Sequence, residues 1–290
     1  MLSDSERLST PTTALFWAKT GNNHSPTHGL SLVQHMLDAG SVAARLWDTW
    51  LAPGLQRRFS EHLHLSMEDT RALVCWLAAT HDMGKATPEF TCQYDRQENN
   101  EYFSAYRKRI RQAKFDLPHY LTVPDKSGVH PHNKYSQSIL IHLLTDNKNV
   151  EGMPREVAVT LASISGAHHG IPAGYFSNSP ERNILILEQL SPQWHAVWQE
   201  LYDITVERFG ATSALQQLAE HGHPIPVAVQ FCITGFVIMS DWIASNPDFF
   251  PMGTFGSAEQ EQRARIGWQA LGLEQRWTAA LDTNPDTPAA

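Results

Sequence analysis

Leu73-Val74-Cys75-Trp76-Leu77-Ala78-Ala79-Thr80-His81-Asp82-Met83-Gly84-Lys85 is an apolar run that stops abruptly in His-Asp, then Gly, then Lys. From Ala72 to Ala79 it is too continuously apolar for a surface helix, so the pattern predicts a buried one. A buried helix should not end in an unpaired carboxylate, because desolvating a lone charge is costly. A metal removes that cost. His81 offers a neutral imidazole, and Asp82 a carboxylate able to bridge two cations. Gly84 permits a sharp turn after the pair, and Lys85 then sits within reach of an anionic substrate. The plainer alternative has His81 capping the helix C-terminus and Asp82 opening a loop. The rest of the chain decides between them.

Towards the N-terminus, residues 1–28 look irregular, and a helix is expected over 31–50. Leu32, His35, Met36, Ala39, Ala43, Leu46 and Trp50 fall on one of its faces. His35 on that inward face is either a satisfied core histidine or a ligand. Towards the C-terminus, His132-Asn133-Lys134-Tyr135-Ser136 opens another helix. His132 is a candidate for the cavity of His81, with Ser136 one turn on to hold its ring. His119, His130 and His142 compete for the same role. The helix over 156–167 ends in His168-His169-Gly170 and repeats the first pattern, a buried helix stopping at adjacent ligand-type residues. Neighbouring side chains on a regular helix diverge by about 100°, but two histidines at a frayed end can converge. Residues 194–209 form an amphipathic helix. Residues 227–244 are the most hydrophobic helix and are expected at the centre of the fold. Asp241 lies near its C-terminal end, where capping cannot account for a negative charge, so it needs a cation or an Arg or His neighbour.

The chain has 290 residues, a net charge of −8 and 42% hydrophobic residues, enough for one sizeable core. Fifteen histidines raise the prior on metal chemistry. Cys75, Cys92 and Cys232 have no paired spacing and read as small buried hydrophobes in a reducing compartment. Residues 1–14 are a polar segment without an apolar signal core. Residues 278–290 read as a disordered or linker-like tail, leaving 15–277 as the domain. Polar residues interrupt the run over 227–244, so no membrane span is expected and the localisation reads as cytoplasmic. One dense basic cluster, Arg107, Lys108, Arg109, Arg111 and Lys114, is either a solvated helix face or a phosphate track.

Together, His35, His81, Asp82, His132, His168, His169 and Asp241 supply enough ligands for a dinuclear site. One metal would be held by His35, His81, Asp82 and Asp241, the other by Asp82, His132, His168 and His169. Two neighbouring metals suit phosphodiester hydrolysis, because they activate water and stabilise charge on both the attacking and the leaving oxygen.

The order H…HD…H…HH…D resembles that of the HD phosphohydrolase superfamily. His81-Asp82-Met83-Gly84-Lys85-Ala86-Thr87-Pro88-Glu89-Phe90, His132-x-x-x-Ser136, Gly166-Ala167-His168-His169-Gly170 and Ser240-Asp241-Trp242-Ile243-Ala244-Ser245-Asn246 are together similar to the HD nuclease domain of the CRISPR-associated helicase-nuclease of type I systems. The resemblance covers roughly residues 15 to 255. It implies an all-α HD-domain helical bundle with the metal site among the central helices. It implies metal-dependent endo- and exonucleolytic cleavage of single-stranded DNA. It also implies two divalent transition-metal ions drawn from Fe, Mn, Co or Ni, with Mg less suited to so imidazole-rich a set. The seven residues above match the family's ligands. Lys85 matches the lysine that would meet a scissile phosphate, which makes Asp82 and Lys85 the expected catalytic pair. The family's partners are a superfamily-2 helicase and an RNA-guided CRISPR surveillance complex. This sequence carries no G-x-x-x-x-G-K-[ST] loop, so the helicase is expected in trans or in a longer chain. Two other readings remain open: an HD phosphohydrolase acting on nucleotides, and a non-catalytic docking module.

Overall fold

The computed structural model describes residues 13–19, 29–91, 108–117, 132–170, 187–221, 223–252, 257–274 and 276. Among these the architecture is helical, with one small antiparallel ribbon of β1 (Trp17–Lys19) and β2 (Leu30–Ser31). Then follow α1 (Leu32–Arg45), a wide helical turn (Leu46–Trp50), α2 (Pro53–Leu63), α3 (Met67–Thr80), a 3-10 turn (Met83–Lys85) and α4 (Pro88–Thr91). After these come α5 (His132–Thr145), α6 (Arg155–Gly166), α7 (Pro192–Phe209), α8 (Thr212–His221), α9 (Val227–Ala244) and α10 (Ser257–Leu271).

The expected all-α bundle is therefore the fold, and α3 is its axis. Ser66 caps its N-terminus by accepting the Asp69 N–H at 3.0 Å, and Glu68 and Asp69 in the first turn complement the helix dipole. Every residue from Ala72 to Pro88 is buried. Helices α1, α2, α6, α7, α8 and α9 all pack against α3. The run thus has no polar face because no side of it meets water.

Four expectations need correction, the last of them the burial of Cys232. The helix over 31–50 is not uniform. It begins as expected, with Ser31 as N-cap, but beyond Arg45 the turn widens, and the Leu51 N–H reaches back five residues to the Leu46 carbonyl. Thr49 Oγ1 donates to the Arg45 carbonyl at 2.7 Å across that turn. Residues 17–19, expected to be irregular, form β1. Helix α9 is not central. It buries Val229, Ile233, Phe236, Val237, Ser240 and Ala244, but Val227 (59% exposed), Phe231 (57%) and Trp242 (71%) lie on its open face. A helix apolar all round need not be buried all round. Cys232 shares that open face and is exposed, unlike the buried Cys75. Cys92, Arg107, the tail over 278–290 and most of the segment over 1–14 lie outside the described residues.

Candidate metal centre

The C-terminal ends of α3 and α6 meet, and the same device finishes both. His81 Nδ1 donates to the Ala78 carbonyl and His168 Nδ1 to the Ser165 carbonyl, each at 2.7 Å and three residues back. A carbonyl only accepts, so each ring carries its proton on Nδ1 and turns Nε2 inward. The two ends are tied by hydroxyls. Ser165 Oγ donates to the Leu77 carbonyl at 3.0 Å and lies 3.2 Å from Thr80 Oγ1.

Helix α5 is locked to both. Asn133 Nδ2 donates to the Gly166 carbonyl at 2.7 Å. The Gly84 N–H donates to Ser136 Oγ at 2.8 Å, and Ser136 donates to the His132 carbonyl at 3.1 Å. Ser136 was expected to hold the His132 ring. Its hydroxyl instead bonds back along its own helix and to the 3-10 turn, so it fixes α5 rather than the imidazole. Gly84 also has a different reason from the one expected. A Cβ there would lie 2.0 Å from the His132 oxygen and 2.5 Å from the Ser136 nitrogen, so close backbone approach demands glycine.

These ends converge on Asp82, which is 2% exposed. Its Oδ2 lies 3.1 Å from His35 Nε2 and 3.4 Å from His81 Nε2. Its Oδ1 lies 3.1 Å from His132 Nε2 and 3.6 Å from His168 Nε2. Asp241 Oδ1 stands 3.2 Å from His35 Nε2 and 3.3 Å from His81 Nε2, and Ser245 Oγ steadies it at 2.7 Å. His169 Nε2 is 3.1 Å from His132 Nε2. All seven expected ligand positions are therefore neighbours: His35, His81, His132 and His168 face the two oxygens of Asp82, Asp241 joins His35 and His81, and His169 joins His132. His35, His81 and His168 close the inner side, while His132, His169 and Asp241 form a solvent-facing rim. His142 belongs elsewhere, with its ring 5.5 Å from that of His195. His119 and His130 lie outside the described residues.

The donor set fits a metal. Nε2 of His35, His81 and His168 and Oδ1 of Asp82 are buried without hydrogen bonds, although oxygens and nitrogens of the group lie 3.1 to 3.6 Å apart. Ligand atoms drawn around common points without bonding one another are what a cation would satisfy. In the absence of a cation the same groups act on one another's protons. Burial opposes charge on His81, but Asp82 and Asp241 overcome it and raise its pKa to about 10. Burial, helped by the charge of His81, lowers His168 to about 3. Burial and His132 also lower His169. Burial opposes charge on Asp82 too, yet Lys85 and His81 hold its carboxyl well below the usual range, and His81 and His35 do the same for Asp241.

Lys85 is buried, not extended to solvent. Its Nζ donates to Asp82 Oδ2 and to the Ala18 carbonyl at 3.3 Å, and it lies 5.5 Å above the Phe90 ring. Of the basic cluster, Lys108, Arg109, Arg111 and Lys114 are exposed around a turn anchored by the buried Ile110 and Phe115. Sequence reasoning missed Asp38, which is fully buried one turn beyond His35. Arg263 Nε donates to both of its oxygens at 3.0 Å, and Gln260 and Gln34 bond Oδ1. This clamp holds α10 on the helix that carries His35. A carboxylate three residues after His35 in an apolar stretch was the available signal.

A family model described as Cas3, HD domain, matches residues 17–250. The chain belongs to the Cas3 HD-domain family. It is 24% identical over 282 residues to the CRISPR-associated nuclease/helicase Cas3 of Streptococcus thermophilus, covering 90% of this chain and 28% of that protein. It is 28% identical over 270 residues to the CRISPR-associated endonuclease/helicase Cas3 of Thermus thermophilus, covering 90% and 26%. The chain thus spans little more than a quarter of the length of either relative. The crystal structure of the Thermus thermophilus Cas3 HD domain in the presence of Ni2+ aligns with a TM-score of 0.57 at 25% identity, covering 90% of this chain and 91% of that one. The fold, the metal-capable His/Asp cluster and family-level hydrolase character agree with the expectations from sequence.

Proposed function

We propose that this chain is a metal-dependent nuclease that cleaves single-stranded DNA, endo- and exonucleolytically, in type I CRISPR interference. The observation that carries this reading is the division of Asp82 between two groups of donors. His35, His81, Asp241 and Asp82 Oδ2 would hold one divalent transition metal. His132, His168, His169 and Asp82 Oδ1 would hold a second. Such a pair supplies an activated water and neutralises charge developing on phosphate oxygens. The chain's own residues do the rest. The Nδ1–H bonds of His81 and His168 orient the rings, and buried α3 and α6 exclude water from the inner side. Lys85 shares Asp82 Oδ2 and would yield that bond to a cation. Its ammonium is then available to a non-bridging phosphate oxygen. Lys108, Arg109, Arg111 and Lys114 offer exposed cations to the strand.

The relatives are described as nuclease/helicases, which supports a superfamily-2 helicase as partner, in trans or in a longer chain, acting with an RNA-guided surveillance complex in the cytoplasm. The test pairs metal content with cleavage. The purified chain is analysed for bound metal, then incubated with circular single-stranded DNA and Mn2+, Co2+ or Ni2+, beside Asp82→Ala. Cleavage of the circle that needs metal and is lost in the variant is the expected result. An intact circle with hydrolysis of free nucleotides would move the reading to a nucleotide phosphohydrolase.

A further inference from the structure

The chain alternates through β1: Ala18, and Phe16 just before the strand, are buried in the core, while Trp17 and Lys19 share the other, half-buried face. That face looks along the rim of the metal centre. The Trp17 ring stacks at 4.4 Å on Phe90, and the Phe90 ring lies 5.5 Å from the His132 ring and 5.5 Å from Lys85 Nζ. Lys85 Nζ bonds the carbonyl of Ala18, the residue directly before Lys19. Lys85 and the backbone that carries Lys19 therefore meet at one edge of the cluster, where Asp241, Lys85 and Asp82 all act on the Lys19 charge. The two lysines differ in partners. Lys85 has Asp82, whereas the Lys19 ammonium makes no hydrogen bond or ion pair with any described residue. Burial lowers the Lys19 pKa, the field of Asp241 opposes this, and that of Lys85 adds to it.

A half-buried ammonium beside a second lysine, with no anion paired to it among the described residues, is an expensive arrangement. Loading the neighbouring carboxylates with cations makes it worse, since their charge no longer answers that of Lys19. The arrangement becomes favourable when an external anion sits between the two lysines. We propose that Lys19 is a substrate-binding residue of this centre, contacting a backbone phosphate of the strand next to the one that faces Asp82 and Lys85. The Trp17–Phe90 stack holds the β1 edge that presents it. This deepens the functional reading above and rests on it.

The experiment measures binding of a fluorescein-labelled oligothymidylate by anisotropy, with Mn2+ present, across a salt series. Wild type, Lys19→Gln and Lys19→Arg are compared, and melting temperature and Mn2+ affinity are recorded for each. Removing one phosphate contact should flatten the slope of log affinity against log salt by about 0.7 and weaken binding several-fold at low salt. Lys19→Arg should restore both, and melting temperature and Mn2+ affinity should not move. In cleavage assays Lys19→Gln should raise KM more than it lowers kcat. Wild-type cleavage with an unchanged salt slope in Lys19→Gln overturns the proposal and leaves the nuclease reading standing, as does a binding loss that tracks a fall in melting temperature. A wild-type chain that neither binds nor cuts the oligonucleotide sinks both together.

Discussion

His81 and His168 face the same carboxylate through the same local bond, a 2.7 Å contact from Nδ1 to the carbonyl three residues earlier, yet they titrate in opposite directions. His81 has two carboxylates within 3.4 Å of Nε2 and is raised to about 10. His168 has only the far oxygen of Asp82, at 3.6 Å, and falls to about 3. In the metal-free chain at neutral pH, one ring therefore carries an extra proton on Nε2 and the other does not.

A metal needs that nitrogen bare, so binding must expel the His81 proton. Titrating Mn2+ or Ni2+ calorimetrically at pH 7.5, in buffers of different ionisation enthalpy, should show about one proton released per chain from this ring. Since the proton competes with the cation, affinity should rise about tenfold per pH unit until the pH nears the raised value. His81→Gln should abolish the release. Binding without proton release in the wild type would mean that His81 is already neutral.

Gly84 gives a packing prediction. Gly84→Ala puts a methyl 2.0 Å from the His132 carbonyl oxygen and 2.5 Å from the Ser136 nitrogen, and neither is a flexible side-chain end. The 3-10 turn and α5 must separate, stretching the Gly84 to Ser136 bond. Urea unfolding should show a loss of about 3 kcal/mol, and metal content should fall on the His132 side. An unchanged midpoint would mean that the two backbones can part freely.

Much of this was legible in the sequence, for physical reasons that differ by residue. His81-Asp82 and His168-His169 stood out because each ends an apolar helix where a polar pair has no ordinary place. Asp241 stood out because negative charge is disfavoured at a helix C-terminus. The role of Ser136 was not legible, since an i−4 back-bond and an imidazole contact share one spacing. Nor was the open face of α9, because hydrophobicity reports what a helix tolerates and not which neighbour covers it. The placement of Lys19 was not legible either, because β1 is only three residues long and too short to show its alternation of buried and half-buried positions in the sequence.

The Asp38–Arg263 pair gives a third prediction. Both side chains are buried, and burial raises the Asp38 pKa while Arg263 and Gln260 pull it back down. Arg263→Met leaves a buried carboxylate without its cation and should cost about 3–5 kcal/mol at neutral pH. With its main cation gone, Asp38 should take up a proton more readily, so the deficit should shrink as pH falls. Chemical unfolding of both proteins across a pH series measures this. A deficit constant with pH would assign the loss to packing of the Arg263 stem instead.

The division of Asp82 predicts separable losses of metal. Among the described ligand residues, Asp241 groups with His35 and His81, and His169 groups with His132 and His168. Both lie on the rim, Asp241 with 15% of its side chain exposed, so replacing either should leave the bundle folded. If each group holds its own ion, Asp241→Ala and His169→Ala should each retain about half of the wild-type metal, the double variant almost none, and Asp82→Asn little, because it weakens both groups at once. Elemental analysis after gel filtration, with circular dichroism to confirm folding, gives the counts. If either single variant were emptied, the seven side chains would share one ion. The ligand set would stand, and the two-ion arrangement would not.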